Sequence, residues 1–333
     1  MRSSASGESA ARTAAATGGD GHGPEQGPPQ AAAASDLAPA TLTKRTRSSA
    51  RSAGEPAKKG GRDLKVAVPV ALGLLVLLAA AVCFSPWPFV ALVAVAVCLA
   101  SWELSRALAR GAIDLPVVPL ALGGVGMVVA AGASGPPGVV VGFGITVALV
   151  MAWRLVDAGP DRPPAKDLYA AFFAVLYLPG LASFVVLLAF EDFIHYGRWL
   201  VLLLVALPAA SDTGGFFAGS YLGKHKLAPS VSPKKTWEGL AGSLVLAMVV
   251  GAVAIWLLHG PLWLGLALGV VGVGTATLGD LAVSLLKRDL GMKDMGSLLP
   301  GHGGVLDRVD SILLTAPLAY LLLTWWVRGG LVW

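Results

Sequence analysis

The chain has 333 residues, 55% of them hydrophobic and 14% charged, with a formal net charge of +5 at pH 7 and a mean hydropathy of +0.71. That balance excludes a soluble globular domain, which needs far more charge to cover its surface. The apolar residues come in unbroken runs rather than in alternating or half-helical patterns, so the expected class is all-α, a polytopic bundle of transmembrane helices.

Residues 1–62 are rich in Ala, Gly, Ser, Pro and charge, with almost no large apolar side chains. Such a segment buries too little surface to offset its ordering entropy, and a disordered tail is expected, followed by a membrane domain over 63–333. No apolar core follows a short basic start, so a signal peptide is not expected. The basic stretch from Lys44 to Arg62 precedes the first apolar run, a placement that suits contact with anionic lipid headgroups. It suits a solvated tail without a specific role equally well.

Nine candidate spans follow, at roughly 65–84, 87–107, 115–133, 137–155, 168–190, 197–218, 237–258, 261–286 and 311–328. Pro86, Pro88, Pro136 and Pro137 mark short turns between the early ones. Cys83 and Cys98 sit inside apolar runs, away from any partner at metal-ligand spacing, and read as small hydrophobes. With the tail placed in the cytoplasm and the spans alternating, all of the 25 lysines and arginines except Arg198 and Arg328 fall on the cytoplasmic side. This is the bias expected of inner loops. The chain shows no internal repeat, which weakens an inverted-repeat transporter.

Two polar segments interrupt the apolar pattern, both on the cytoplasmic side. The first runs Ser211-Asp212-Thr213-Gly214-Gly215, then Gly223-Lys224-His225-Lys226, then Ser232-Pro233-Lys234-Lys235-Thr236-Trp237-Glu238-Gly239. Asp212 lies well inside the sixth apolar run, and a carboxylate there is costly and points to function. Ser232 followed by Pro233 reads as the N-cap and first residue of the seventh helix. A helix start beside Lys234 and Lys235 suits phosphate. Taken alone, the lysines fit a loop that only orients the protein equally well.

The second segment runs from Asp280 through Ser284, Lys287, Arg288, Lys293 and Asp294 to Gly301-His302-Gly303-Gly304, Asp307, Arg308 and Asp310. Asp280, Ser284, Lys287 and Arg288 share one helical face. The glycines let backbone N–H groups approach an anion, and Asp307 and Asp310 are three apart on one face. Several carboxylates beside basic groups at a membrane surface suggest a Mg²⁺ site handling a nucleotide. Oxygen ligands without clustered Cys or His argue against Zn²⁺.

From Ser284 to Asp310 the chain reads S-x-x-K-R-x4-K-D-x-G-x-x-L-P-x-H-G-G-x-x-D-R-x-D, which resembles the signature of the phosphatidate cytidylyltransferases. The run from Ser211 to Gly239, with S-D-T-G, G-K-H-K-L-A-P and S-P-K-K-T-W-E-G, resembles a second motif of the same family. The resemblance spans about residues 65–333. It departs at Gly215-Phe216-Phe217, where a small residue and a Tyr are usual, and at Ser220, where a basic residue is usual.

The resemblance implies a nucleotidyltransferase of phospholipid biosynthesis. Such an enzyme moves CMP from CTP to phosphatidic acid, giving CDP-diacylglycerol and pyrophosphate. It implies Mg²⁺ on Asp280 and Asp307, with a monovalent cation such as K⁺ beside it, and it admits a homodimer. Asp310 is a further metal candidate. Asp280, Asp307, Lys287, Arg288, His302 and Arg308 are the expected catalytic residues. Ser211, Asp212, Lys224, Lys226, Ser232, Lys234, Lys235, Lys293, Gly303 and Gly304 are the expected substrate contacts. The expected partners are CTP, phosphatidic acid and membrane lipid, not nucleic acid, and the expected location is the cell membrane with the active site cytoplasmic. A cytidylyltransferase for another lipid phosphate, isoprenoid or ether-linked, fits the same motifs. A transporter fits only the presence of charges in spans.

Overall fold

The structure, a computed structural model, describes residues 64–157, 164–299 and 303–329. The chain divides into two units, and all of these residues lie in the second, Lys59–Trp333. The expected tail over 1–62 and His302 lie outside the described residues.

The elements run α1 (Leu64–Phe84), α2 (Pro86–Ala109), α3 (Val117–Asp157), α4 (Pro164–Val175), α5 (Leu181–Phe190), α6 (Arg198–Leu222), β1 (Lys226–Ala228), β2 (Ser232–Thr236), α7 (Trp237–Leu257), α8 (Leu262–Asp289) and α9 (Leu306–Val327). Large apolar side chains lie exposed on helix after helix, among them Phe84, Val140, Leu155 and Trp256. Apolar surface on that scale is an aggregation hazard in water. In a bilayer it faces a medium as apolar as itself. The protein is a multi-pass helical membrane protein.

Seven helices among the described residues are long and apolar enough to cross a membrane, against the nine spans expected. Two features account for the difference. The runs expected at 115–133 and 137–155 form one 41-residue helical stretch, α3, broken at Gly135 by φ 64° and ψ −147°. Its arms double back on each other: a Cβ on Gly142 would lie 2.8 Å from the Met127 Cα, and one on Gly138 would run into the Ala130 carbonyl. Only glycine allows both the left-handed turn and that backbone approach. The first run is helical, but its fully described part, Val68–Phe84, falls short of a span.

Between α4 and α5 the helix passes through a π-helical turn, Leu176–Gly180. Pro179 supplies no N–H to the ladder there, and a widened turn absorbs the loss. The Ser183 hydroxyl donates back to the Pro179 carbonyl at 2.7 Å.

Helices α6, α7 and α8 pack nearly backbone to backbone. A Cβ on Gly214 would strike the Gly242 carbonyl, and one on Gly269 would lie 2.5 Å from the Met248 Cα. Helices in lipid gain most from such close van der Waals contact, which is why small residues line their interfaces. Helix α8 meets α9 the same way, since a Cβ on Gly279 would lie 2.8 Å from the Asp310 carbonyl. Thr275 and Thr315 hydroxyls join the two helices at 2.8 Å.

Arg154 at the end of α3 reaches Asp114 (3.3 Å), Asp157 (3.6 Å) and Asp167 (3.7 Å). It ties the α2–α3 connection to the start of α4. Glu191 and Arg328 pair at the opposite end of α9 from Asp307.

Candidate active site

The C-terminal ends of α6 and α8 and the N-terminal ends of α7 and α9 meet at one end of the bundle, and the two polar segments of the sequence come together there. A cavity of about 600 Å³ opens between α6, the segment after it, α7 and α8, lined among others by Ser211, Asp212, Lys226, Lys234, Lys235 and Thr277. That volume is in the range of small-molecule and cofactor sites.

The floor of the cavity comes from the α6–α7 contact. Ser211 is buried, and its carbonyl accepts the Ser243 hydroxyl at 2.6 Å. Asp212, the next residue, faces out into the cavity. The glycines after it serve packing: a Cβ on Gly215 would lie 2.7 Å from the Ser243 hydroxyl, and one on Gly219 would crowd Thr236.

The roof is the β1–β2 hairpin, which pairs antiparallel with Lys226 opposite Thr236 and Ala228 opposite Ser232. Here the expected helix start is corrected. Ser232–Thr236 is strand, and α7 begins at Trp237, capped by Thr236, whose hydroxyl accepts the Gly239 N–H at 3.1 Å. Pro233 is tolerated near the start of a strand in a two-stranded ribbon, where both strands are edges. Thr236 has the backbone N–H three residues on within reach of its oxygen, as an N-cap requires. Lys234 and Lys235 therefore reach the cavity from a ribbon, not from a helical first turn.

Glu238 braces the ribbon. It accepts the Lys224 N–H (3.1 Å) and the His225 N–H (3.2 Å), and its Oε1 lies 2.6 Å from the His225 ring. Lys224 and Ser232 do not line the cavity, whereas Lys226 does.

Lys235 crosses to α8, placing its Nζ 2.7 Å from Asp280 Oδ2, with both side chains partly exposed. Asp280 lies one turn beyond Ala276 and Thr277 of the cavity wall. Asp280, Lys235 and Arg308 are each within electrostatic reach of Asp212.

Asp307 is different in kind. Its side chain is 5% exposed and pairs with Lys287 at 2.9 Å. Its other oxygen accepts the Met295 N–H at 2.9 Å and the Gly304 N–H at 3.2 Å. Gly303 exchanges backbone hydrogen bonds with Leu299 at 2.9 and 3.1 Å. The N–H groups of Gly303 and Gly304, expected to approach an anion, are thus bound within the loop in this structure. Asp310 is buried and accepts the Ser311 N–H at 2.6 Å. Arg288 and Lys293 are exposed.

Among the described residues no three of His, Cys, Asp and Glu stand close enough to form a ready metal cage. Mg²⁺ asks for less, since one or two carboxylates plus substrate phosphates and waters suffice. Asp280 fits that role, being accessible, at the cavity edge and near Asp212. Asp307 fits it less well as it stands, because all three of its hydrogen bonds come from donors and one of them is a lysine.

A family model described as "Cytidylyltransferase family" matches residues 65–326. The chain belongs to the cytidylyltransferase family. A phosphatidate cytidylyltransferase of Mycobacterium bovis is 38% identical over 278 residues, covering 80% of this chain and 90% of that protein. One of Mycobacterium leprae is 38% identical over 281 residues, covering 80% and 89%. One of Haemophilus influenzae is 37% identical over 185 residues, covering 53% and 63%. In this cytidylyltransferase, then, the first motif segment lines the cavity, and the second reaches its edge through the Lys235–Asp280 pair.

Three residues to which the sequence assigned no role shape the site. Thr236 and Ser243 are buried, and each holds a backbone group of the α6–α7 corner. The T-x-x-G spacing was a signal for the first. The third, Glu103 on α2, accepts the backbone N–H of Leu306 beside Asp307 and carried no local signal beyond being a charge in a span.

Proposed function

We propose that this protein transfers CMP from CTP to phosphatidic acid at the cytoplasmic face of the cell membrane, releasing pyrophosphate. The single observation that carries the reading is the lysine-lined cavity of about 600 Å³ beside Asp212 and Asp280, at one end of the apolar bundle. The printed names of the mycobacterial relatives support the choice of lipid.

An oxygen of the lipid phosphate attacks the α-phosphorus of CTP. The bond from that phosphorus to the bridging oxygen of the β-phosphate breaks, and the electron pair leaves with pyrophosphate. The nucleophile is already an anion, so no strong base is required. The obstacle is bringing two anions together, and catalysis rests on positioning and charge neutralisation.

Lys226, Lys234 and Lys235 face the cavity and receive the triphosphate. Mg²⁺, when bound, supplies further neutralisation of phosphate charge, and Asp280 with Asp212 beside it would hold it. Lys287 is held by Asp307, and Arg308 is within electrostatic reach of Asp212. A homodimer belongs to the same reading and is checked by the mass of the purified protein–detergent complex.

The test is direct. The purified protein is given labelled CTP, phosphatidic acid and Mg²⁺, and the lipid phase is counted. Label that appears with release of pyrophosphate and vanishes with EDTA is the expected result. Label only with an isoprenoid or ether-linked phosphate would change the lipid. No label with any lipid phosphate, in folded protein, would sink the proposal.

A further inference from the structure

We propose that Glu103 is a positioning residue for the reaction: its buried carboxylate moulds the glycine-rich loop that delivers Asp307 to the active site. The inference rests on the reading of that site given above.

Glu103 is 1% exposed, in the apolar run of α2 between Ala100 and Leu104. An ionisable side chain inside a span is costly, and it is retained where it does something. Its Oε1 has no hydrogen-bond partner among the described residues.

Three contacts say what it does. First, Oε2 accepts the backbone N–H of Leu306 at 2.9 Å, across 203 residues of chain. Leu306 opens α9, and Val305 before it provides no side-chain cap. The first N–H groups of a helix lack intrahelical partners, and Glu103 supplies one from another helix. Second, Gly296 lies directly against the carboxylate: the three atoms nearest to a Cβ placed there all belong to Glu103. Third, a Cβ on Gly304 would lie 2.6 Å from Oε2.

These contacts bracket Asp307. Met295, next to Gly296, and Gly304 give it their N–H groups at 2.9 and 3.2 Å, and Leu306 precedes it in the chain. Each backbone atom that fixes the Asp307 carboxylate is thus within one residue of a group resting on Glu103. Asp307 in turn holds Lys287 at 2.9 Å. The glycines at 296 and 304 are needed because the carboxylate occupies the space their side chains would fill.

The test compares E103Q, E103A, G296A and the E103A/G296A double variant, each purified in detergent and checked for a single species and a normal melting curve. Misplacing a reacting group by an ångström costs up to about a hundredfold in rate, so E103A is expected to lower kcat by at least about tenfold. KM for CTP should change less than about twofold, because the lysine cavity lies elsewhere. E103Q keeps the acceptor for Leu306 and the shape that Gly296 rests on, and should restore most of kcat. G296A should resemble E103A, and the double variant should be no worse than either single one, since residues in contact are not additive.

A readout independent of the lipid accompanies these: backbone hydrogen exchange across residues 291–306 should rise in E103A and not in E103Q. If the lipid assignment were wrong, wild type would fail on phosphatidic acid while the exchange difference stood. Normal kcat and normal exchange in E103A would overturn the proposal. So would a loss in E103Q as deep as in E103A, losses that simply add in the double variant, or a lower melting temperature with kcat intact.

Discussion

The two polar segments of the site are built on opposite principles. In the cavity segment, Lys226, Lys234 and Lys235 stand on a short ribbon and Asp212 remains accessible, and Asp280, where the loop segment begins, meets Lys235 at the cavity edge. In the loop segment, Asp307 is nearly closed off and satisfied by Lys287 and two backbone N–H groups. The first keeps charges open to the cavity, even where Lys235 meets Asp280. The second has spent its hydrogen bonds on its own shape. Preorganised charge is useful in catalysis because it need not reorganise when the reaction occurs. An exposed lysine is useful because a ligand can replace water around it. A site that brings two anions together needs both.

This difference can be broken from either side. The largest effect is expected at Asp280, where accessible charge meets the reaction: Asp280→Asn should lower kcat by about 10²–10³, the cost of losing one aimed electrostatic group. Label transfer to lipid measures it, and near-normal turnover in membrane-inserted protein would remove Asp280 from the site.

Next come the two lysines. Lys287→Ala leaves Asp307 without its counter-charge in a buried place, and breaking such a pair costs about 3 kcal/mol. A fall in melting temperature is the expected sign. Lys235→Ala breaks a pair that is partly exposed, so melting should barely move. KM for CTP should instead rise by about tenfold, the worth of one charge-assisted hydrogen bond. If both variants lost stability and neither changed KM, the contrast between the segments would be false.

The smallest effect is expected at Thr236. Removing the cap of α7 by Thr236→Ala should cost about 1 kcal/mol. It should also raise KM for CTP slightly, as the ribbon carrying Lys234 and Lys235 loosens.

The membrane class was plain in the sequence, because runs of apolar residues leave few alternatives. So were Asp212 and Asp280 as candidates, each a carboxylate in an apolar run where its charge is costly. Spacing along the chain could not say which cation each would meet. Lys235 and Asp280 lie on separate elements, and their pairing follows from the α6–α7–α8 packing that glycines permit. The start of α7 was misplaced because Ser232-Pro233 and Thr236 both carry capping chemistry. Pairing of the ribbon with Lys226–Ala228 selected Thr236. The two runs on either side of Gly135 were legible as apolar, but their folding back depends on backbone approach at Gly138 and Gly142.

The sequence alone therefore determined the solvent this protein lives in, the family motifs, and the side chains that carry charge into the membrane. Those depend on composition and local pattern, which a single chain states in full. The tertiary structure decided which of those charges are spent on one another and which face a cavity. It also decided that Glu103, distant in sequence from Leu306, stands against the loop that holds Asp307. Hydrogen bonds and ion pairs act over a few ångströms, and only packing determines which distant residues come that close.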